Sequence, residues 1–556
     1  MKKVFLLLFV AIAPLLGARL AAQISHGGEP SFNNTVAKMK SAAVEFPLVD
    51  NARYIDEDLA AVKGAGPMRI GVVQYQNVDV LRNARVVKDA QGDHYLMAVT
   101  SQEASFLSLH FSEFRLADGA TLFFYDEDGA TVLGSFNDSD VKEDGSFYTQ
   151  ALPGSTAYLE YNVPAGTDPG SLVLDHICHG YKDMFRSIAQ TYDDIYEASK
   201  GQLGDAVGNC HINVACSEAS DWRNQIRSVV AIQIVDQLYA YMCSGAVINN
   251  TRQDRTPYVL TAFHCQDVEN APVRYYTAYF LYQSANCSGT LGGTINNSIT
   301  GATEKAKYSY NGGSDMLLLQ LSHAIPDSYK PYYAGWDRSS ATTHTPGVCI
   351  HHPGGDIKKI SFDKSIVKGT GAEKNFFVVS WFTGNENKGV TEQGSSGSPL
   401  FNADKRIVGQ LYAGYSECTY PQGNDVYGRV FTSWLGGGAD NSSLQPWLDP
   451  DNTDVTTLDG LNFQDEVGID LPEGRRFYDL TVYPNPSNGL IHFDVDEIGD
   501  ANYKVFDLSG RCVKEGRTVL TTTSQAVDLR TLPAGTYVMN LYTSFRSYST
   551  TLLISK

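Results

Sequence analysis

Ser396 lies in the segment Thr391-Glu-Gln-Gly-Ser-Ser-Gly-Ser-Pro399. A serine hydroxyl is a weak nucleophile. It needs a turn that presents it, a base that takes its proton, and backbone N–H groups that hold the oxyanion formed on attack. Gly394, two residues earlier, allows the backbone to turn its N–H inward, so the N–H groups of Gly394 and Ser396 are the candidate oxyanion donors. The same composition suits an ordinary Ser/Gly-rich surface loop, so a base must be found elsewhere. Leu260-Thr-Ala-Phe-His-Cys265 supplies one: a strand turns into a small-residue loop, with His264 beside a cysteine whose disulfide would fix the imidazole. A third group should orient that ring. Gly312-Gly-Ser-Asp315 precedes the apolar run Met316 to Leu321, and a carboxylate at the mouth of a buried strand is costly unless hydrogen-bonded. Asp315 is therefore the candidate, against the plainer reading of a strand-end turn. Together the three residues could run acyl transfer through a covalent acyl-enzyme.

The order His, Asp, Ser along the chain is that of the chymotrypsin group and differs from the subtilisin and α/β-hydrolase orders. Further segments carry a closer likeness: Ala334-Gly-Trp-Asp-Arg338, Ile350-His-His-Pro353, Gly389-Val-Thr-Glu392 and Tyr427-Gly-Arg-Val-Phe-Thr-Ser-Trp434. With the triad segments, they make residues 205–460 resemble the bacterial lysyl endopeptidases, a branch of the trypsin-like proteases. The resemblance implies a chymotrypsin-like double β-barrel and disulfides Cys210–Cys418, Cys216–Cys287 and Cys243–Cys265. Cys349 is then left unpaired and buried. It also implies endopeptidase cleavage on the C-terminal side of lysine. No cofactor and no metal are expected, since no pair of cysteines has the repeated short spacing of a zinc site.

A pocket for a cationic side chain needs a buried carboxylate at its floor. In ordinary trypsins that aspartate lies six residues before the nucleophile, where this chain has Val390. The family's pocket aspartate maps onto Asp425, and Glu392 is the competing acid. Specificity for Arg or another residue, or a catalytically silent adhesin on a protease fold, are the alternatives. One departure stands out: the family's supporting histidine is Tyr412 here, and its partner tryptophan has no clear counterpart.

Around these segments the chain reads as all-β. Phe106-Leu-Ser-Leu-His-Phe111 alternates, Thr121 to Tyr125 runs into the turn Asp126-Glu-Asp-Gly129, and Tyr158 to Tyr161 gives another strand. These place a β-sandwich-like domain at 23–200, which we read as a propeptide. Ser228 to Val235, Ala246 to Ile248, Met316 to Leu321 and Ile407 to Tyr412 read as strands of the protease domain, 201–460. A stretch rich in Asp and Gly, starting near Asp449, leads into a linker at 461–477. The last unit, 478–556, contains Tyr483-Pro-Asn-Pro486, Asp507-Leu-Ser-Gly510 and Leu532-Pro-Ala-Gly-Thr-Tyr537. It reads as a small β-sandwich and resembles the type IX secretion system sorting domain.

At the other end, Lys2 and Lys3 precede an apolar run from Val4 to Leu16, and Ala21 and Ala22 follow. This is a signal peptide at 1–22, cut after Ala22, because the run is too short to span a bilayer comfortably. Export makes the nine cysteines disulfide candidates before metal ligands. A formal charge of −19 speaks against nucleic acid as a partner. The expected partners are protein and peptide substrates and the type IX machinery. The expected product is a monomeric enzyme, secreted or on the cell surface, with no transmembrane segment. Lys200 is the expected activation site, giving a mature N-terminus near Gly201.

Overall fold

The structure is a computed structural model. It describes residues 27–32, 42–60, 66–140, 144–182, 210–266, 271–287, 295–382, 388–462, 477–493, 499–507, 511–520, 525–542 and 547–555. Ala22, Lys200 and Gly201 lie outside these residues, as does most of the expected linker. The chain forms two compact units, 1–463 and 464–556.

The first unit begins with two facing sheets. One contains Gly92–Thr100, paired with Ala42–Glu45 on one side and Thr156–Pro164 on the other, and continues through Thr121–Tyr125. The other contains β1 (Met68–Asp79), β2 (Phe106–Arg115) and β3 (Ser171–Gly180), with β3 in the middle. Residues alternating inward from both sheets, among them Met97, Val99, Leu109, Phe111, Phe124, Leu159 and Ile177, form one core. Apolar faces meeting in this way define a β-sandwich.

Next comes a six-stranded barrel of β4 (Val229–Val235), β5 (Tyr239–Val247), β6 (Tyr258–Ala262), β7 (Thr277–Tyr279), β8 (Ser298–Thr300 continuing as Ala302–Tyr308) and β9 (Met316–Leu321). The strands pair in the order β7-β4-β5-β6-β9-β8. Because β8 bends at Gly301 and also pairs with β7, the ring closes. A strand was expected to start at Ser228, but that residue ends a short helix, Arg223–Ser228, whose backbone bonds take it before β4 begins.

A second barrel closes in the same way. Its strands are β10 (Gly347–His351), β11 (Lys359–Lys368), β12 (Phe376–Trp381), β13 (Pro399–Asn402), β14 (Ile407–Gly414) and β15 (Asn424–Arg429). The order is β13-β10-β11-β12-β15-β14, and β14 returns to β13. Between the barrels, Trp336 and Trp434 pack at 4.6 Å, inside a core fed by both.

The Asp- and Gly-rich stretch from Asp449 is more ordered than its composition suggests. Thr457–Leu458 pairs with Trp336–Asp337, and Leu461–Asn462 pairs with Tyr332–Tyr333. Two-residue strands leave no periodic signature to read.

The second unit has a five-stranded and a three-stranded sheet. Ile491, Phe493, Val505, Met539, Leu541 and Leu552 from the two sheets share one core. Among the described residues no helix is long and apolar enough to cross a membrane.

Candidate active site

His264 sits in a single helical turn, Phe263–Cys265, directly after β6. Its neighbour Cys265 is bonded to Cys243 of β5, with the Cα atoms 6.5 Å apart. The turn is thus tied to the strand beside it. Asp315 precedes β9, which pairs with β6 throughout, so the two side chains meet across one ladder. Asp315 Oδ2 lies 2.7 Å from His264 Nδ1, and Oδ1 accepts the backbone N–H of His264 at 2.9 Å. The Asp315 backbone is left-handed, with φ of 57°. Its carbonyl accepts from Phe263 N–H and from Gln410 Nε2, which hold it in that uncommon conformation.

The Ser396 turn links the second barrel to the first. Ser396 C=O accepts the N–H of Ser244 at 2.8 Å, and Gly394 C=O accepts Ser244 Oγ at 2.9 Å. Gly394 has φ of 88°, and a Cβ there would lie 2.8 Å from His352 O and from Gly355 N. Both the conformation and the close approach therefore require glycine. Ser395 N–H donates to Glu392 O, Gly397 N–H to Leu411 O and Ser398 N–H to Ser395 O. Among the described residues, no acceptor takes the N–H of Gly394 or of Ser396. Two free donors flanking a partly exposed serine can receive an oxyanion.

Ser395 is held by His351, a residue with no role in the sequence reading of the site. His351 Nδ1 is 2.7 Å from Ser395 Oγ, and Nε2 is 3.0 Å from Ser361 Oγ. Burial holds this imidazole well below its ordinary pKa, so it is neutral and serves the turn as a hydrogen-bonding strut. His352 points elsewhere, with Nδ1 2.9 Å from the carbonyl of Asp356. The adjacent histidines thus share no ligand position, as alternation along a strand requires.

Asp425 is fully buried on β15. Its Oδ2 accepts from Trp381 Nε1 at 2.6 Å, Thr391 Oγ1 at 2.6 Å and Ser416 Oγ at 2.5 Å, and Oδ1 accepts Ser416 N–H at 3.1 Å. Burial raises its pKa, and the hydrogen bonds work against that rise. Among the described residues no cation pairs with it. Gly414 closes over the group: a Cβ there would sit 2.0 Å from Asp425 Oδ1. Glu392 is engaged differently, accepting Cys418 N–H at 3.0 Å with His211 Nε2 at 3.4 Å. Trp381 and Ser416 were not singled out from sequence. Nothing local marks them, because they reach Asp425 only through the barrel register.

Tyr412 is 6.0 Å from the His264 ring, edge to face, and stacks on Tyr310 at 5.4 Å with Phe376 at 5.2 Å. An aromatic cluster therefore walls one side of the imidazole. Three disulfides are present, Cys210–Cys418, Cys216–Cys287 and Cys243–Cys265. Cys349 is free and buried, with its thiol pushed up to about 12 by desolvation, so it is inert as a nucleophile. One cluster with ligand-type atoms within 4.8 Å, His110, Asp175 and His176, belongs to the N-terminal sandwich. Both rings turn Nδ1 onto the Asp175 carboxylate.

The closed paired barrels, with a His–Asp pair and a turn-mounted serine where they meet, define a serine endopeptidase. Residues 204–428 match the family described as lysyl endopeptidase, C-terminal domain, and residues 481–555 match the secretion system C-terminal sorting domain. A lysyl endopeptidase of Pseudomonas aeruginosa is 26% identical over 434 residues, covering 74% of this chain and 89% of that protein. Among solved structures, a Glu endopeptidase (17% identity, 40% of this chain and 93% of that one, TM-score 0.27) and human heparin binding protein (16%, 38% and 88%, TM-score 0.27) are similar. The chain is a secreted or cell-surface serine endopeptidase that resembles lysyl endopeptidases and carries a type IX sorting domain.

Proposed function

We propose that the enzyme hydrolyses peptide bonds on the C-terminal side of lysine, with His264, Asp315 and Ser396 as the triad. His264 takes the Ser396 proton as the hydroxyl attacks the carbonyl carbon, and Asp315 stabilises the imidazolium that forms. The N–H groups of Gly394 and Ser396 hold the oxyanion. His264 then protonates the leaving amine, and water releases the acyl group by the same steps in reverse roles. Asp425 receives the lysine ammonium.

The observation that carries the lysine reading is a buried carboxylate with four donors and, among the described residues, no cation. An ammonium would complete it, and an uncharged side chain would leave that charge unbalanced. Glu392 suits the role less well, being committed to Cys418 N–H and His211. We read 23–200 as a propeptide released by cleavage after Lys200. N-terminal sequencing that placed the mature start before 190 or beyond 210 would overturn that assignment.

The primary test is peptide mapping of a denatured protein digested by activated enzyme, alongside a Ser396→Ala control. Cuts confined to lysyl bonds and absent from the control are expected. Cuts after other residues would remove the Asp425 reading and leave the triad.

A further inference from the structure

The sandwich and the first barrel share a single sheet. β1 pairs on one edge with β3 and on the other with β5 of the barrel, antiparallel: Val72 faces Tyr239, Gly71 faces Ala240, Arg69 faces Tyr241 and Met68 faces Met242. The ladder is extended by Val73 N–H to Leu238 O at 2.8 Å and Tyr75 Oη to Gln237 O at 3.0 Å. Beneath it Met68, Ile70 and Tyr148 of the sandwich pack with Ala240, Met242 and Tyr279 of the barrel. The Arg69 guanidinium lies 4.8 Å from the Tyr239 ring centre.

The place of this ladder gives it a consequence. Two residues beyond Met242 on the same strand, Ser244 touches both Ser396 and Gly394. At about 3.3 Å per residue, the start of β1 sits ~7 Å along the strand from the nucleophile's own contact. Asp425 belongs to the second barrel, so a substrate whose lysine enters there leaves Ser396 in the opposite direction, across the edge of β5. An extended peptide meeting a free strand edge pairs with it through main-chain hydrogen bonds. In this chain that edge is taken.

We propose that Tyr239–Met242 of β5 is the docking edge for the leaving-group side of an extended polypeptide substrate, and that β1 holds the intact chain latent by occupying it. The proposal rests on the endopeptidase reading above and deepens it. The catalytic turn is already assembled in the full chain, with Gly394 left-handed, its N–H and that of Ser396 without acceptors among the described residues, and Ser395 bonded to His351. Latency then comes from the covered edge, and groups that need only the serine and the acyl side stay accessible.

The test uses the full chain carrying Lys200→Gln, since Lys200 is the only lysine in 183–209. Three probes are compared on this chain and on mature enzyme: a fluorophosphonate, a small acyl-lysine p-nitroanilide, and a long peptide with lysine at its centre. With an effective local concentration of β1 in the millimolar range, the uncut chain should cleave the long peptide ~100-fold more slowly than mature enzyme. Fluorophosphonate labelling should agree within a few-fold. Amide exchange at Tyr239–Met242 should be slow in the uncut chain and speed up once the N-terminal part is removed. Equal hydrolysis of the long peptide by both forms would overturn the proposal, as would labelling slowed as much as hydrolysis. If mature enzyme labels but cleaves no lysyl bond, the specificity reading fails alone, and the labelling and exchange data still decide this one.

Discussion

At the scale of single residues, the chemistry sets what each substitution should do. On the proposed mechanism the Ser396 hydroxyl forms the new bond, so Ser396→Ala should lower kcat by about 10⁶ with folding unchanged. Asp315→Asn should cost ~10⁴ by presenting the wrong imidazole tautomer, and a burst assay on an activated ester would measure it. Asp425 makes a sharper case through its pH dependence. Its pKa is raised by burial, so acidification neutralises it earlier than an exposed aspartate. KM for lysyl substrates should then climb as pH falls, separately from the titration of kcat. Asp425→Asn should flatten that climb and cost ~10²–10³ in kcat/KM, the range for stranding one member of a buried ion pair. The candidate triad was legible because nucleophile, base and orienter must be particular residue types near turns and strand ends. His351, Trp381 and Ser416 were not legible, since a histidine strut or an indole donor needs no local signature and acts only across paired strands.

At the scale of elements, the first barrel holds its histidine turn by covalent means and the second carries a charge conflict. Cys243–Cys265 closes a loop with a sequence separation of 22. Replacing both with Ala should cost about 3 kcal/mol by loop entropy and loosen His264, visible as a lower denaturation midpoint together with a reduced kcat. In the second barrel Asp363 of β11 accepts the Gly347 N–H, and its Oδ1 has no hydrogen-bond partner among the described residues. Burial pushes its pKa up from the usual 3.8 to about 7. The fold therefore favours the neutral acid. Its stabilising contribution is complete below about pH 4 and is lost as pH rises through about 7, an effect of up to ~4 kcal/mol. Asp363→Asn should make Tm fall less between pH 5 and pH 9, which a calorimetric pH series would show. Four barrel segments, Ser228 to Val235, Ala246 to Ile248, Met316 to Leu321 and Ile407 to Tyr412, could be read from their apolar runs. The ladder between β1 and β5 could not, because partners some 170 residues apart leave no common pattern in either segment.

At the scale of the whole molecule, the boundaries of the folded units decide where the chain can be cut. Composition placed the end of the protease at 460, yet Leu461 and Asn462 pair with Tyr333 and Tyr332, and Arg227 Nη2 reaches Asn462 Oδ1 at 3.1 Å. A chain ending at 460 loses this ladder and the Arg227–Asn462 hydrogen bond. One ending at 463 keeps both. The second unit has its own two-sheet core. We therefore expect the chain truncated after Phe463 to keep the full-length protein's Tm and, once activated, its kcat/KM. The 460 truncation should melt several degrees lower, as removal of ~1 kcal/mol does in a domain of this size. In cells that possess the type IX machinery, both truncations should stop short of the outer surface, since the sorting domain is gone from each. Fractionating periplasm from medium would measure this. Export of the 463 truncation at normal levels would show that the export signal lies outside the C-terminal unit.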